Sequence, residues 1–433
     1  MYKPLKITLI LALALSMAVA AGCSIKPGTS SNQSASSGGP VEITFWHGMS
    51  GQLKNVLDQQ VKEFNKSQDE VKVVATAQGT DYATNQQKIL ASIASGSPPD
   101  IGQIEIHALP KFAASGAITP LDSFMKKSKD HQKSDFVQGI LANTQYKGQT
   151  YGVPFNRSVP MLYYNVDMFK KAGISGAPTT WQEVANDARK LADPGRKVYG
   201  YEPVNQWWFF ESMVWSNGGD ILSPDNKQAT FDTKKAQAGM EVWRQLKQDG
   251  VLGVNSGTEA WSQTISDFTQ GRTAMYTGSA GDMGQIEEGK PGFEWKAAFI
   301  PKFDQYAVPT GGANAAIFSK DKAKQDAAWK FISWFTSKNQ TILWSQKTGY
   351  LPVMKSAVND PKMVKYFDKN PNHKLPVEQL KYARTAPEIP EYPQVLDDIQ
   401  QGMDQVLYSG KPVAPSLKAA ARKADKALSG SGS

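Results

Sequence analysis

Few residue groups in this 433-residue sequence have the types and spacing that catalysis requires. The run from Gly284 to Lys290 resembles a phosphate-binding loop, but Pro291 stands where that loop needs a serine or threonine for magnesium. The sequence contains neither a G-x-S-x-G nucleophile elbow nor an H-E-x-x-H zinc motif. One cysteine and four scattered histidines argue against a Cys-built or His-rich metal site. We therefore expect no metal and no cofactor.

Paired carboxylates are the remaining catalytic candidates, because glycosidases bring distant acidic residues together in space. Glu105 and Asp282 are the pair that we select as candidates. A secreted glycosidase would hold two such groups about 5–10 Å apart across a cleft. Binding or structural roles for both acids are favoured over this alternative.

Composition indicates a globular protein with no preference for nucleic acid. The chain is 40% hydrophobic and 20% charged, and its formal net charge is +8. The densest basic runs, 126–133 and 418–428, are interrupted by acidic residues or alanines. We interpret both runs as solvated faces, so no nucleic-acid partner is expected.

The first forty residues indicate secretion. Lys3 and Lys6 precede an apolar run, 7–21, which is shorter than the roughly 20 residues that span a bilayer. Residues 1–22 are therefore predicted to be a signal peptide. The stretch from Ala20 to Cys23 is typical of a bacterial lipobox, although leucine is the usual residue at the position of Ala20. An ordinary signal peptide followed by an incidental cysteine is the alternative.

Residues 23–40 are rich in serine and glycine and are expected to form a flexible tether behind a lipidated Cys23. A lipid, a tether and a folded body together predict a protein anchored at the outer face of the cytoplasmic membrane. A Gram-positive host is favoured.

Alternating strand and helix patterns open the folded body. Strands are predicted at 41–46, 71–77 and 100–106, and the helix at 86–95 lies before the third strand. This order is typical of a parallel α/β sheet, whose ligands lie beyond the carboxyl ends of the strands. His47, residues 79–82 and residues 105–107 are therefore expected at one rim of the sheet.

The rest of the body has the same mixed character. Thr179 or Thr180 with Glu183 predicts a capping box that opens a helix. An aromatic cluster occupies 207–215. Further strands are predicted at 161–165, 273–278 and 314–319, and further helices at 166–172, 326–337, 395–407 and 417–428.

Sequence blocks that occur in one order carry a family resemblance. They are FWH (45–47), PFNRSVPMLYYN (154–165), TTWQEV (179–184), GRTAMYTGS (271–279), GGAN (311–314) and QKTGYLPV (346–353). The series resembles family 1 extracellular solute-binding proteins of ABC importers over about residues 41–410. Within that family it is most similar to the components that bind sn-glycerol 3-phosphate.

The resemblance implies an α/β protein with the two-lobe, periplasmic-binding-protein-like (class II) fold, in which hinge strands join the lobes around a ligand cleft. The N-terminal lobe would comprise 41–153 plus 278–319, and the C-terminal lobe 154–277 plus 320–433. Crossovers are expected at 151–154, 276–279 and 318–320. Closure would bring ligand contacts from both lobes together, and the ABC permease would recognise the closed form.

The resemblance also implies a set of ligand-binding residues. By motif position they are Tyr82, Glu105, Ser158, Ser279, Gly312 and Tyr350, with a stacking tryptophan at Trp207 or Trp208. These residue types suit a polyol, because carboxylates and amides bind hydroxyl groups and aromatic rings cover C–H faces. His47 is expected to be structural or to lie at the rim.

One position departs from the family pattern. The family's phosphate-binding arginine would fall at Leu396, and a leucine cannot make bidentate contacts to phosphate. Arg157 is predicted as a substitute contact, and Arg384 is a further candidate. A glycerophosphodiester or a neutral sugar therefore becomes a candidate ligand beside glycerol 3-phosphate.

We predict a lipid-anchored solute receptor that delivers a polyol-type solute to an ABC permease and performs no chemistry. An oligosaccharide-binding protein of the same fold is the first alternative, and the secreted glycosidase is less favoured. A surface lipoprotein without a transport role, such as an adhesin, is also open.

Overall fold

The computed structural model describes residues 39–430. The predicted signal peptide, Cys23 and almost all of the predicted tether lie outside the described residues. Within that range, no helix combines the length and apolar character needed to cross a bilayer.

The β-strands of the described residues are mostly short. They are β1 (Val41–His47), β2 (Val71–Ala77), β3 (Ile101–Glu105), β4 (Gln145–Tyr146), β5 (Gln149–Thr150), β6 (Val153–Ser158), β7 (Pro160–Asn165), β8 (Glu202–Pro203), β9 (Met275–Ser279), β10 (Trp295–Phe299), β11 (Val308–Pro309), β12 (Gly311–Ile317) and β13 (Ala383–Arg384).

The α-helices lie between these strands and follow them. They are α1 (Gly51–Ser67), α2 (Tyr82–Ala94), α3 (Leu109–Ala114), α4 (Asp122–Lys127), α5 (Gln138–Leu141), α6 (Val166–Lys171), α7 (Trp181–Leu191), α8 (Trp207–Ser216), α9 (Lys234–Gln248), α10 (Ala260–Thr269), α11 (Met283–Glu288), α12 (Lys322–Phe335), α13 (Lys338–Thr348), α14 (Lys355–Val358), α15 (Pro361–Lys369), α16 (Pro371–Gln379), α17 (Tyr392–Leu407) and α18 (Val413–Leu428).

A five-stranded sheet with the order β2-β1-β3-β12-β6 forms the centre of the first lobe. β1 pairs in parallel with β2 and β3, whereas β12 runs antiparallel to β3 and β6. Apolar residues on alternate positions of β1, such as Ile43 and Phe45, are fully buried. The predicted parallel α/β arrangement of 41–106 is thus confirmed.

A four-stranded sheet with the order β10-β7-β9-β8 forms the centre of the second lobe. β7 runs antiparallel to β9 and β10, and β8 is parallel to β9. The rings of Tyr163 and Tyr276 stack on neighbouring strands at 4.8 Å. Helices α7, α8, α17 and α18 pack around α9 or against one another in this lobe.

The distribution of segments between the lobes differs from the predicted boundaries. β6 pairs with β12 in the first sheet, so the chain passes between the sheets at Val159 and not at 151–154. β10 pairs with β7 in the second sheet, although 278–319 was expected in the first lobe. α12 packs on β1, where Phe331 and Phe335 lie 5.9 and 6.3 Å from Phe45. The segment 318–320 is therefore not a crossover, because burial of these aromatic rings holds α12 on the first sheet.

The predicted capping box is confirmed at the start of α7. The hydroxyl of Thr180 accepts a hydrogen bond from the main-chain N–H of Glu183 at 3.1 Å. The carboxylate of Glu183 in turn accepts from the N–H of Thr180 at 3.1 Å. Two N–H groups that a helix leaves unpaired are satisfied reciprocally.

Candidate ligand-binding site

Tyr82 lies at the start of α2, beside the carboxyl ends of the first-lobe strands. Asp81 caps this helix by accepting a hydrogen bond from the N–H of Thr84 at 2.7 Å, which places Tyr82 in the first turn. The side-chain amide of Asn156 on β6 donates to the Tyr82 hydroxyl at 2.6 Å. Burial, together with the neighbouring Tyr350 and Glu105, raises the pKa of Tyr82, so the phenol stays neutral and can donate.

Glu105 ends β3, and both of its carboxylate oxygens are hydrogen-bonded to one residue. The main-chain N–H of His107 donates to Oε2 at 2.9 Å, and Nδ1 of its ring lies 2.6 Å from Oε1. The Glu105 side chain retains 12% of its exposure, whereas the His107 side chain retains 1%. The carboxylate is therefore held in place and remains partly open to accept hydroxyl donors.

Tyr350 follows α13 and completes an aromatic wall next to Tyr82. Its ring stacks on Trp344 at 6.0 Å with an interplanar angle of 30°. Burial raises the pKa of Tyr350 above its ordinary value, although hydrogen bonds with Asn156 and Tyr82 act in the opposite direction. Tyr82, Asn156 and Tyr350 thus form one connected polar group.

Helix α8 of the second lobe brings aromatic rings to the Glu105–His107 pair. The half-buried ring of Trp207 meets the ring of His107 edge-on, at 4.9 Å and 87°. Trp208 is buried, and its indole N–H donates to the carbonyl of Thr310 at 3.2 Å. A Cβ on Gly311 would lie 2.5 Å from the Trp208 ring, which shows how closely that ring packs. Of the two tryptophans, Trp207 is the one that reaches the Glu105–His107 group.

Ser158 and Gly312 lie on strands adjacent to Glu105. Gly312 pairs with Arg157, and the next residue of β12 pairs with Glu105. Gly312 has a φ of +96°, and a Cβ there would lie 1.8 Å from the carbonyl oxygen of Asn156, so only glycine fits. The hydroxyl of Ser158 has no side-chain hydrogen bond to any described residue and is free to donate.

Ser279 ends β9, opposite Pro160 on β7. Its hydroxyl accepts from the N–H of Gly281 at 3.1 Å and caps the short turn that follows. Its own N–H donates to Asp282 at 2.9 Å. Ser279 therefore has a local structural role, and its O–H proton and one acceptor lone pair remain available to a ligand.

Arg157 does not present a free cation. Its guanidinium is fully buried and donates to the carbonyl oxygens of Gly311 and Ile140, at 3.0 and 3.1 Å. It also donates to Thr310 Oγ1 at 3.0 Å and to Asn314 Oδ1 at 3.4 Å. These four acceptors leave at most one guanidinium N–H for a ligand, so they disfavour ligand contact by Arg157, which stays a prediction.

Arg384, the other predicted substitute for the family arginine, is also engaged elsewhere. Arg384 donates to Asp220 at 2.9 Å and lies 4.8 Å above the ring of Trp215. Leu396 is buried in the second turn of α17. His47 is fully buried and accepts from the N–H of Met49, and burial lowers its pKa to about 4, which agrees with a structural role.

Two buried carboxylic acids of this region, Glu211 and Asp282, have raised pKa values. Burial raises the pKa of Glu211 on α8 to about 7, and Glu105 and Asp220 add to that effect. Burial also raises the pKa of Asp282 to about 7. Asp282 accepts from the indole N–H of Trp261 at 3.0 Å as well as from Ser279, which are structural contacts. Glu211 is thus a second carboxyl group in the surroundings of Glu105, whereas Asp282 is held by its own structural contacts.

Several residues of this region were not predicted as ligand or site residues. They are Asn156, His107, Glu211 and Tyr392, of which His107 was expected only at the rim. Glu211 carries the clearest sequence signal, because it is a lone acid in the apolar run WWFFESMVW. The others could be found only from their neighbours in space.

Two surface depressions lie away from the predicted site residues. One, of about 560 Å³, lies between α4 and α12 and includes Phe124 and Trp329. The other, of about 510 Å³, surrounds Gly219 and the start of α9. Neither contains Tyr82, Glu105 or Tyr350, which lie instead in the contact region between the lobes.

Comparison with known proteins agrees with this architecture. The family model described as bacterial extracellular solute-binding protein matches residues 59–374. The sn-glycerol-3-phosphate-binding periplasmic protein UgpB of Brucella melitensis is 28% identical, over 89% of this chain and 93% of the relative.

Two solved structures are also similar. UgpB from Mycobacterium tuberculosis, in complex with glycerophosphocholine, is 26% identical with a TM-score of 0.82, covering 90% of this chain and 98% of that chain. The cyclic α-maltosyl-1,6-maltose binding protein from Arthrobacter globiformis is 27% identical with a TM-score of 0.73, covering 90% of this chain and 100% of that chain. With α/β lobes of this kind and a family match over most of its length, the chain belongs to the bacterial extracellular solute-binding proteins.

Proposed function

We propose that this protein captures a polyol-type solute between its lobes and delivers it to an ABC permease. The supporting observation is the convergence of Tyr82, Glu105 and Tyr350 with Trp207 of the other lobe. The His107–Trp207 ring contact at 4.9 Å links the two sides. Such a site combines hydroxyl acceptors and donors with aromatic faces, as a sugar or polyol requires.

The proposed ligand contacts are divided between the lobes. Glu105 accepts hydroxyl groups, while the hydroxyls of Tyr82 and Ser158 donate. Trp207 supplies the aromatic face, and Tyr350 supplies a second one. Ser279 and Gly312 remain proposed contacts, through the O–H and the main-chain N–H respectively.

A glycerophosphodiester is favoured over glycerol 3-phosphate. The UgpB relative is named for glycerol 3-phosphate, and the mycobacterial structure contains glycerophosphocholine. In this chain the expected arginine is Leu396, and the described Arg157 and Arg384 donate to protein groups. A phosphomonoester dianion beside Glu105 and Glu211 would find neither Arg157 nor Arg384 available for bidentate contacts, whereas a diester carries one negative charge fewer.

A neutral oligosaccharide is the second candidate. It is favoured by the engagement of Arg157 and Arg384 with protein groups, and by the similarity to the maltosyl-maltose binding protein. The aromatic residues Trp207, Tyr350 and Tyr82 would serve as faces for sugar rings.

Catalysis is not part of the proposal. The family consists of solute-binding proteins. Asp282, the carboxylate paired with Glu105 in the glycosidase hypothesis, accepts hydrogen bonds from Ser279 and Trp261. The absence of turnover of chromogenic glycosides would support binding without chemistry.

The anchoring of the protein is proposed from the sequence. Cys23 would carry the lipid, and 23–40 would hold the body at the outer face of the cytoplasmic membrane of a Gram-positive host. Metabolic labelling with a fatty acid tests this, because C23S should abolish label while the protein is still exported.

Isothermal titration decides the ligand. The wild-type protein would be titrated with glycerophosphocholine, sn-glycerol 3-phosphate and maltotetraose. We expect tighter binding of the diester or of the oligosaccharide than of the phosphomonoester. An E105Q variant should lose most of that affinity, whereas the exposed control E63Q should keep it. Binding of none of the three compounds would refute the proposed ligand class.

A further inference from the structure

His107 holds the side chain of Glu105 and lies where the two lobes meet. His107 fixes both oxygens of Glu105 from within the first lobe, through its main-chain N–H and its ring Nδ1. A carboxylate can only accept hydrogen bonds, so Nδ1 carries the proton in this pair. One residue thus determines where the carboxylate points.

The ring of His107 is enclosed by the second lobe. Trp207 of α8 meets it edge-on, and the ring of Tyr392 of α17 lies 5.6 Å away at 41°. The hydroxyl of Tyr392 donates to Oε1 of Glu211, a fully buried residue of α8. The orientation of Glu105 therefore depends on a residue that the second lobe covers.

Two buried atoms in this cluster lack partners among the described residues. They are Nε2 of His107 and Oε2 of Glu211. A buried polar atom without a hydrogen bond costs free energy, so native proteins retain few of them without a reason. Both atoms belong to side chains that bring charge to the contact between the lobes.

We propose that His107 is a positioning residue that couples closure of the lobes to the orientation of Glu105, an inference that rests on the proposed function. Trp207, Tyr392 and Glu211 complete its surroundings only when the lobes are in contact. The carboxylate is then held for the ligand in the closed form and less firmly in the open form. Neither Glu211 nor Tyr392 needs to touch the ligand for its loss to weaken binding.

The charged groups that face His107 come from several elements. Burial lowers its pKa, but Glu105 of β3 and Glu211 of α8 outweigh burial and hold the pKa above 6.5, while Arg157 of β6 opposes them. Tyr392 of α17 is the remaining titratable neighbour. Closure therefore favours the doubly protonated ring, and ligand affinity should fall as pH rises through the raised pKa.

The binding test uses glycerophosphocholine and maltotetraose as probes in titrations at pH 6 and pH 8. For the probe that binds, we expect H107L to lose roughly tenfold to a hundredfold in affinity at pH 6, the size expected for hydrogen bonds to a charged group. H107N, which keeps a donor near the position of Nδ1, should retain part of the affinity but lose the part of the pH dependence that comes from His107. E211Q in the same titrations separates the contribution of Glu211, whose own pKa is about 7. The control H131N removes a buried histidine that bonds Thr336 and should leave both affinity and pH dependence unchanged.

A second measurement follows the titration of His107 itself, in protein labelled with ¹⁵N-histidine. The His107 pKa should be lower in E105Q with or without a bound probe, and lower in E211Q when a bound probe holds the lobes closed. If wild-type protein binds neither probe while the E105Q shift occurs, the proposed ligand class fails and the pairing of His107 with Glu105 stands. A His107 titration in the probe-bound protein that E211Q leaves unchanged would overturn the coupling between lobes, and so would wild-type affinity and pH dependence in H107L.

Discussion

The ring of Tyr350 lies directly against the backbone of Gly281, because a Cβ at Gly281 would be 2.6 Å from two ring carbons. Tyr350 follows α13, whereas Gly281 follows the β9 strand of the second sheet. The absence of a side chain at Gly281 is therefore what allows the Tyr350 ring to reach the Tyr82–Asn156 group.

G281A tests this relationship. The added methyl group should displace the Tyr350 ring and weaken ligand affinity by roughly tenfold, which corresponds to about 1.4 kcal/mol. Titration with the probe that wild-type protein binds measures the effect. G292A is the matched control, since no atom lies within 4 Å of a Cβ at that position. Equal affinities in the two variants would contradict the role of Gly281.

G312A should destabilise the fold more than G410A, the same substitution at another glycine with a positive φ. Gly312 has a φ of +96° and the carbonyl of Asn156 at 1.8 Å from an added Cβ, whereas Gly410 has a φ of +69° and open space. G410A should cost about 1 kcal/mol from backbone conformation alone. G312A should cost at least about 3 kcal/mol, because the strand must also move. Denaturant unfolding of both variants measures the difference, and similar losses would refute the close approach.

Arg157 is predicted to matter for stability and not for binding. R157M would leave the carbonyls of Gly311 and Ile140 without their donor and should lower the free energy of unfolding by about 3 kcal/mol or more. Thermal unfolding at pH 7 reports this loss. The folded fraction should bind ligand with nearly wild-type affinity. A variant with an unchanged melting temperature and lost affinity would restore Arg157 as a ligand contact.

Glu202 should make stability depend on pH. Burial, with the nearby Asp267, raises the pKa of Glu202 from 4.5 to about 8. The folded protein therefore holds a proton that the unfolded chain releases, so the contribution of Glu202 to stability is largest below pH 4.5 and falls as pH rises toward 8. E202Q should remove this loss and stabilise the protein at pH 8 by on the order of 2 kcal/mol, with little gain at pH 4.5.

D267N is the matched control for E202Q. Burial raises the pKa of Asp267, but hydrogen bonds from Asn255 and Arg272 outweigh it and leave the pKa lowered. That carboxylate therefore contributes stability above its ordinary pKa, and D267N should destabilise the protein at pH 8. Melting temperatures of both variants, measured between pH 4.5 and pH 8, should show that E202Q stabilises and D267N destabilises the protein at pH 8. A loss of stability in E202Q at pH 8 would contradict the raised pKa of Glu202.

Local patterns predicted most of the individual elements. The alternation in 41–47 and 71–77 gives two strands that pair in parallel over their whole length. The helix predicted at 86–95 begins four residues earlier, at Tyr82, because Asp81 provides a side-chain cap. Similarly, the helix predicted at 326–337 begins at Lys322, where Asp321 accepts from the N–H of Lys324 at 2.9 Å.

The assignment of segments to lobes could not be predicted from local patterns. The position of α12 depends on contacts of Phe331 and Phe335 with Phe45, which is almost 300 residues away in the sequence. β10 and β12 are separated in sequence only by the two-residue strand β11, but they pair in different sheets. The lobe to which each of these segments belongs is determined by packing between residues that are far apart in the sequence.

The candidate site was predicted in part. Tyr82, Glu105 and Tyr350 are brought together, and their role in binding remains a prediction. Arg157 has the residue type that phosphate requires, but the sequence could not show that main-chain carbonyls would surround it. The proposed role of His107 depends on its contacts with Trp207 and Tyr392. Neither its residue type nor its position in the sequence predicts these contacts.

A crystal structure of the protein with its bound ligand tests the central claim most directly. Crystals would be grown with whichever of glycerophosphocholine and maltotetraose binds more tightly in solution. We predict ligand density between the carboxylate of Glu105 and the indole of Trp207, with a hydroxyl group of the ligand within hydrogen-bonding distance of Glu105. Ligand bound instead in the depression beside Phe124 and Trp329, with no contact to Glu105, would contradict the account.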